Sequence, residues 1–333
     1  MFFIKFTTYH LNYLLRISIH IVILLLISTF YLQIGYSQGA GFTRANEWKK
    51  YRKEITFQAG AAQFLGDLGG LNKVGTHFSP VDLEFTLTRP AITVGYRYKV
   101  TKSFNWFSSF NYLVVAGDDK LTTEPFRNNR NLNFKSNIFE LSTRAELAFF
   151  RNKAGHRYNI RNTSGKRHKA STWELLGFIG IGMFYYNPKG KQPGGGYVKL
   201  RPLHTEGQGL PGGPKQYSNV SVSIPIGIAF RSMLNKYWSV GIEINYRKTF
   251  TDYIDDVSTV YYDKYKLGQA YGPTSVTMSD PSKGTITGAT SPDAAGNAAQ
   301  RGDKQKDSYM GIQITVGHFF PPKRNKTRLR SKF

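Results

Sequence analysis

The residues best suited to chemistry in this sequence are four carboxylates. Asp252, Asp255 and Asp256 lie in Thr251-Asp252-Tyr253-Ile254-Asp255-Asp256-Val257-Ser258, and Asp263 follows shortly after. A hard cation such as Ca²⁺ takes several carboxylate oxygens, so these four form the candidate metal site. Their spacing matches no EF-hand loop, and an Asp-capped turn leaving a strand is the alternative. After residue 37 stand His77, His156, His168, His204 and His318, and no two of them share ligand spacing on one strand face. The chain has no cysteine, which removes disulfides, thiolate nucleophiles and cysteine-based zinc or iron–sulfur sites. Serine and aspartate are scattered in the loops without a nucleophile–base pattern. No glycine-rich loop sits after a strand and before a helix to cradle a phosphate. The expectation is a protein that is not an enzyme and carries no cofactor.

A second set of charges is Glu54, Arg97, Glu140, Arg144, Glu146, Glu243 and Arg247. Each lies in a segment where apolar and polar residues alternate with period two, the pattern of a strand with two unlike faces. In Trp238 to Phe250, Val240, Ile242, Ile244, Tyr246 and Phe250 share one face, against Gly241, Glu243, Asn245, Arg247 and Thr249. The segments 54–66, 91–101, 105–116, 137–150, 173–186, 219–230 and 308–320 complete a set of eight. Segment 54–66 is rich in small residues, 105–116 is aromatic on both faces, and 173–186 is almost wholly apolar.

An even number of alternating strands predicts an all-β fold, an eight-stranded antiparallel outer-membrane β-barrel with apolar residues outward and polar or Gly residues inward. In lipid every backbone N–H and C=O must be paired, and a closed sheet does this without edges. A soluble sandwich or lipocalin-like barrel would show the same alternation with the apolar face inward. Connection lengths favour the membrane barrel. The connections 67–89, 118–136, 187–218 and 251–307 are long, whereas 101–104 and 231–237 are short, as expected of long outer loops and short periplasmic turns. The connection 151–171 is the exception, long on the side where turns are short. Aromatic pairs at strand ends, Trp106/Phe107, Phe149/Phe150, Tyr185/Tyr186, Tyr237/Trp238 and Phe319/Phe320, suit interfacial girdles. A barrel of eight strands is narrow enough to be filled by its own side chains. The seven inward charges are of both signs, so they are expected to pair across a plugged lumen. The Gly/Pro runs at 191–196 and 210–214 punctuate a loop, and 267–306, rich in Gly, Ala, Ser and Thr, reads as a flexible surface loop.

The 333 residues carry 45 Lys and Arg against 21 Asp and Glu, a net +24. Such a balance first suggests nucleic acid, but the N-terminus argues otherwise. Lys5 and Arg16 precede an apolar run from Ile17 to Ile34, and Gly35-Tyr36-Ser37-Gln38 follows, the layout of a secretory leader cleaved after Ser37. The run is also about long enough to anchor in a bilayer as a helix. Export leaves no nucleic-acid partner. The chain then divides into a leader (1–37), a basic segment (38–53), the barrel (54–320) and a basic tail (321–333). By strand parity the periplasmic side collects +21 and the four outer loops only +2. Arg157, Arg161, Lys166 and Arg167 in 151–171, with Lys323, Arg324, Lys326 and Arg328 in the tail, are the candidate docking residues for an acidic periplasmic protein. Anionic headgroups and peptidoglycan are the other surfaces such charge could meet.

Four stretches also carry a resemblance. They are Phe64-Leu65-Gly66-Asp67-Leu68, Phe184-Tyr185-Tyr186-Asn187-Pro188-Lys189, Leu203-His204-Thr205-Glu206-Gly207-Gln208-Gly209, and Arg247 to Ser258. Together they resemble the PorG-like outer-membrane β-barrel family of Bacteroidota, over roughly residues 50–320. The resemblance implies a component of the type IX secretion machinery, or a paralogue, with a periplasmic protein partner of the secretion complex and no catalytic residues. The long basic 151–171 connection and the basic tail go beyond the match. A barrel that binds a ligand or cation through its long outer loops is the alternative.

Overall fold

The computed structural model describes residues 47–68, 85–151, 173–291 and 298–321. Among these described residues nine strands occur in chain order: β1 (Lys53–Leu65), β2 (Arg89–Lys99), β3 (Phe104–Asp118), β4 (Asn133–Arg151), β5 (Trp173–Lys191), β6 (Tyr197–Lys199), β7 (Val220–Met233), β8 (Trp238–Thr249) and β9 (Ser308–Phe320). The short β6 folds back on the far end of β5, and the other eight form the wall. Each wall strand pairs antiparallel with its sequence neighbour, and β1 closes on β9 from Lys53↔Phe320 to Leu65↔Ser308. The sheet is therefore a closed barrel without an edge, the outer-membrane type. No helix among the described residues is long and apolar enough to cross a membrane.

Period-two alternation does not reveal which face is out, and burial settles it. Ile181 is 58 % exposed, Phe57 52 % and Ile312 43 %, whereas Glu54 is 1 % and Arg97 3 %. Ile92, Val94, Phe110, Leu141, Ile179, Met183, Ile228, Ile242 and Val316 continue the outward apolar band. A soluble barrel would invert this arrangement.

The end-of-strand aromatics divide differently from the expectation of paired girdles. Trp106, Tyr185, Tyr237, Trp238 and Phe320 are exposed, but Phe107, Tyr186 and Phe319 are buried. Adjacent residues of a strand point to opposite faces, so one of a pair within a strand enters the barrel, whereas Tyr237 precedes β8 and both it and Trp238 stay outside. Phe149 and Phe150 both face out because the β4–β5 register slips between Ala148 and Phe150. The extra residue is a β-bulge, which repeats one face. A second irregularity sits at Pro225 in β7. The β5–β7 ladder runs through Ile179↔Ile226, skips the next two pairs and resumes at Gly182↔Ser223. Proline has no N–H to give to that ladder.

The expected strands 137–150 and 173–186 are longer in the structure, at Asn133–Arg151 and Trp173–Lys191, so the wall rises above its neighbours on the long-loop side. There the connections fold into a cap with three helices, α1 (Pro125–Arg130), α2 (Lys264–Tyr271) and α3 (Pro273–Ser279). The flexible loop expected over 267–306 is corrected by α2, α3 and a bridge between Val260 and Gln300. Its Arg301 is fully buried. Composition alone missed this because Pro273 starts α3 and small residues pack tightly. The main apolar cluster, including Phe64, Leu68, Val115, Phe134, Phe184, Tyr186, Ile254 and Tyr309, lies under this cap and closes the long-loop end of the lumen.

Candidate functional site: lumen, cap and basic end

The lumen holds a chain of ion pairs built from alternate residues of six strands. From the short-turn end, Lys99 lies 3.9 Å from Glu174, and Arg231 pairs with Glu174 and, at 2.7 Å, with Glu54. Arg97 joins Glu54 at 2.8 Å to Glu146 at 2.6 Å. Arg144 continues from Glu146 at 3.0 Å to Glu243 at 2.6 Å. A separate group farther up joins Arg247 to Glu140 at 3.0 Å, with the Tyr309 hydroxyl donating to Glu140 at 2.5 Å. Five cations thus face five carboxylates. A buried ion without a partner would cost several kcal/mol, which explains the balance of signs. Aromatic faces complete the packing, with the Arg144 guanidinium 4.3 Å from the Phe107 ring centre and 3.8 Å from that of Phe178.

All seven inward charges of the sequence pattern lie here. Lys99, Glu174 and Arg231 join them. The +21 expected on the periplasmic side includes Lys99 and Arg231 as turn residues. Both are buried and paired in the lumen, so the count along the sequence for that side becomes +19. The signal was present: alternation in β7 continues one step past Phe230 and puts Arg231 inward, beside Ala229. Glu174 was obscured by the apolar run that follows it.

Both lumen ends are covered. At the short-turn end Trp48, in a short 3₁₀ turn just ahead of β1, packs with Tyr51, Met233 and Phe319. The opposite end carries the apolar cluster and the cap. The cap is organised by Glu206, whose carboxylate accepts hydrogen bonds from the Ser258 amide at 2.8 Å and the Thr259 amide at 3.2 Å, and pairs with Arg301 at 3.0 Å. The same Arg301 donates to the Asp256 carbonyl at 2.7 Å.

The four candidate metal carboxylates do not stay together. Asp263 caps α2, accepting from the amides of Tyr265 and Lys266 at 2.9 and 3.0 Å. Asp256 has φ of 66°, the left-handed region that Asp tolerates, and this turn aims it away from Asp255. It accepts from Thr205 and from the Tyr217 hydroxyl, each at 2.5 Å. Burial pushes Asp256 up to about 6, held back by the Arg301 charge and these two donors. Asp252 accepts from the Ser258 hydroxyl at 2.6 Å and Asp255 from the Val257 amide at 3.0 Å, in a turn whose Ile254 amide donates to Asp307 at 2.8 Å. Among the described residues no three His, Asp or Glu side chains stand ready around one metal-sized point.

Of the histidines in described segments, His204 stacks on Tyr271 with ring centres 4.1 Å apart, and His318 lies between Trp238 and Phe320 in the aromatic belt. The docking candidates Arg157, Arg161, Lys166, Arg167, Lys323, Arg324, Lys326 and Arg328, like the leader, fall outside the described residues.

A family model described as a domain of unknown function, DUF6089, matches residues 42–164. No curated protein matches the chain. Among solved structures, the attachment invasion locus protein Ail of Yersinia pestis aligns at 8 % identity over 81 % of this chain and 99 % of its own, with a TM-score of 0.33. Neisserial surface protein A aligns at 8 % identity over 80 % and 97 %, with a TM-score of 0.30. The outer membrane protein AlkL aligns at 9 % identity over 86 % and 96 %, with a TM-score of 0.31.

Proposed function

We propose that this chain is a non-catalytic outer-membrane barrel that anchors a periplasmic protein of a secretion machine, of the type IX class, through its basic short-turn end. One observation carries the reading. Among the described residues the lumen charge cancels pair by pair and the wall outside is apolar, while the count along the sequence leaves +19 for the short-turn side against +2 for the outer loops. A one-sided field of this strength concentrates and orients an acidic partner. The outward apolar band suits outer-membrane lipid, and the filled lumen leaves the molecule the work of a scaffold. The resemblance to the PorG-like family supports the choice of machine, and the leader-like N-terminus supports the compartment.

The test is a crosslinked pull-down from cell envelopes. Deleting 323–333, or neutralising Arg157, Arg161, Lys166 and Arg167 together, removes the partner from the pull-down and lowers secretion, while the barrel still assembles. Survival of both partner capture and secretion in these variants overturns the reading.

A further inference from the structure

Two neighbouring strands change character along their outward faces, and they do so in step. On β5 the outward series runs Ile179, Ile181, Met183, Tyr185, Asn187, Lys189, Lys191, and on β4 it runs Leu141, Phe139, Asn137, Lys135. The β4–β5 register sets like residues side by side: Leu141 against Met183, Phe139 against Tyr185, Asn137 against Asn187 and Lys135 against Lys189. An apolar row is thus followed by an aromatic row, an amide row and a row of cations, in order towards the long-loop end. The first two rows are the lipid band and its interfacial girdle.

The cationic row is wider than these two strands. The short β6 places Lys199 against Lys189 from the other side, and Tyr197 against Lys191. Lys135, Lys191 and Lys199 are exposed and Lys189 is half-buried. Like charges directly opposite one another destabilise a sheet, yet three lysines stand in one row across three strands. Among the described residues no carboxylate pairs with any of these four lysines. Asp118, diagonal to Lys135 on β3, accepts instead from the Lys120 amide at 3.0 Å. A repulsive row that the sheet does not neutralise calls for a counter-charge from outside. Its height says which one. The lysine row stands about 13 Å along the strand from the aromatic row and, at the usual strand tilt, about 10 Å along the membrane normal. Lysine stems reach back over much of that distance, so the ammonium groups meet the headgroup layer.

We propose that Lys135, Lys189, Lys191 and Lys199 form a landing site for the phosphate groups of an outer-leaflet glycolipid of the lipid A type. A phosphomonoester carries up to about two negative charges and three acceptor oxygens, so one group bridges adjacent lysines and cancels their repulsion. The inference rests on the reading of this chain as an outer-membrane barrel with its long loops outward. It is separate from the docking at the opposite end.

The experiment inserts the full mature chain into phosphatidylcholine vesicles that contain lipid A, either diphosphorylated or dephosphorylated. The lipid A retained per barrel is titrated against vesicle content and counted by native mass spectrometry. The phosphorylated form is expected to bind the more tightly. Each lysine replaced by glutamine should weaken that affinity about 5-fold, so Lys189→Gln with Lys199→Gln should lose about 30-fold. Lys304→Gln, exposed ahead of β9 on another side of the barrel, should leave it unchanged. In zwitterionic detergent without lipid A the double variant should unfold at or above the wild-type temperature, because a like-charge row is relieved. A chain that inserts into none of these vesicles overturns the membrane reading and this inference with it. An inserted wild-type barrel that holds both lipid A forms equally, or holds phosphatidylglycerol as tightly as the phosphorylated form, overturns the lipid A site alone. So does a double variant that binds as the wild type does.

Discussion

Arg144 is the place where the packed lumen is most exposed to experiment. Its guanidinium donates to Glu243 at 2.6 and 2.7 Å and to Glu146 at 3.0 Å, clamped between Phe107 and Phe178. In Arg144→Met, Glu146 keeps Arg97 at 2.6 Å, whereas Glu243 is left with only the neutral donors Gln58 at 3.3 Å and Asn245 at 3.3 Å. Leaving one buried charge uncompensated costs about 3–5 kcal/mol, or about 6–20 °C in unfolding temperature. Adding Glu243→Gln removes the orphan charge and keeps the volume, so the double variant should recover most of the loss. Urea unfolding in detergent micelles, followed by the gel-mobility shift between folded and unfolded barrel, reads both. If Arg144→Met unfolds where the wild type does, Glu243 is being solvated and the lumen is wet rather than packed.

Other expectations follow from the same structure. Ile181→Arg or Ile242→Arg places a charge in the outward apolar band and should destabilise the folded barrel in lipid by about 2–4 kcal/mol, measured by unfolding from vesicles; no cost there would mean the band does not face lipid. Gly317→Ala pushes a methyl against Glu54 and Ser239 and should cost about 1–3 kcal/mol through overpacking, measured in the same way. Planar-bilayer recording should show no stable conductance of porin size, since both lumen ends are covered. The cap should also respond to pH. Burial, then the Asp67 and Glu206 charges, pushes Asp252 up to about 8, and burial, with Asp303 and Glu206, pushes Asp67 to about 7 against the pull of Arg130. Raised carboxyl values mean that the folded cap holds protons the unfolded chain has released. Stability is therefore greatest near the ordinary carboxylate range and falls as pH rises through 7 to 8. Asp252→Asn should flatten that loss in thermal unfolding across about pH 5 to 9, and a profile unchanged by the substitution would remove Asp252 from the account.

Much of the wall was legible in the sequence because a strand writes its faces with period two. Ile242, Ile244 and Tyr246 against Glu243, Asn245 and Arg247 state both the strand and its polar side. What alternation leaves open is direction, and here the exposure of Ile181 and Phe57 decides. Residues near a break in periodicity were harder. The bulge beside Phe149 repeats a face, and Arg231 lies one step past Phe230, where the clear alternation of 219–230 ends. The cap was least legible. Asp252, Asp255, Asp256 and Asp263 are near in sequence, yet one αL turn and one helix cap send Asp256 and Asp263 to other partners. Asp307 is distant in sequence, and the Ile254 amide beside Asp255 reaches it only through the pairing of β8 with β9. Long-range closure of this kind leaves no local signature.

The central claim is that a partner docks at the basic short-turn end. It is tested most directly by photo-crosslinking in living cells from single positions at the two ends. Probes at Thr101 and Lys236 report on the short turns, and probes at Phe126 and Tyr265 report on the cap. The account predicts a discrete adduct to one periplasmic protein from the first pair and none to that protein from the second. Adducts confined to the cap positions, or none from the short turns, would contradict it.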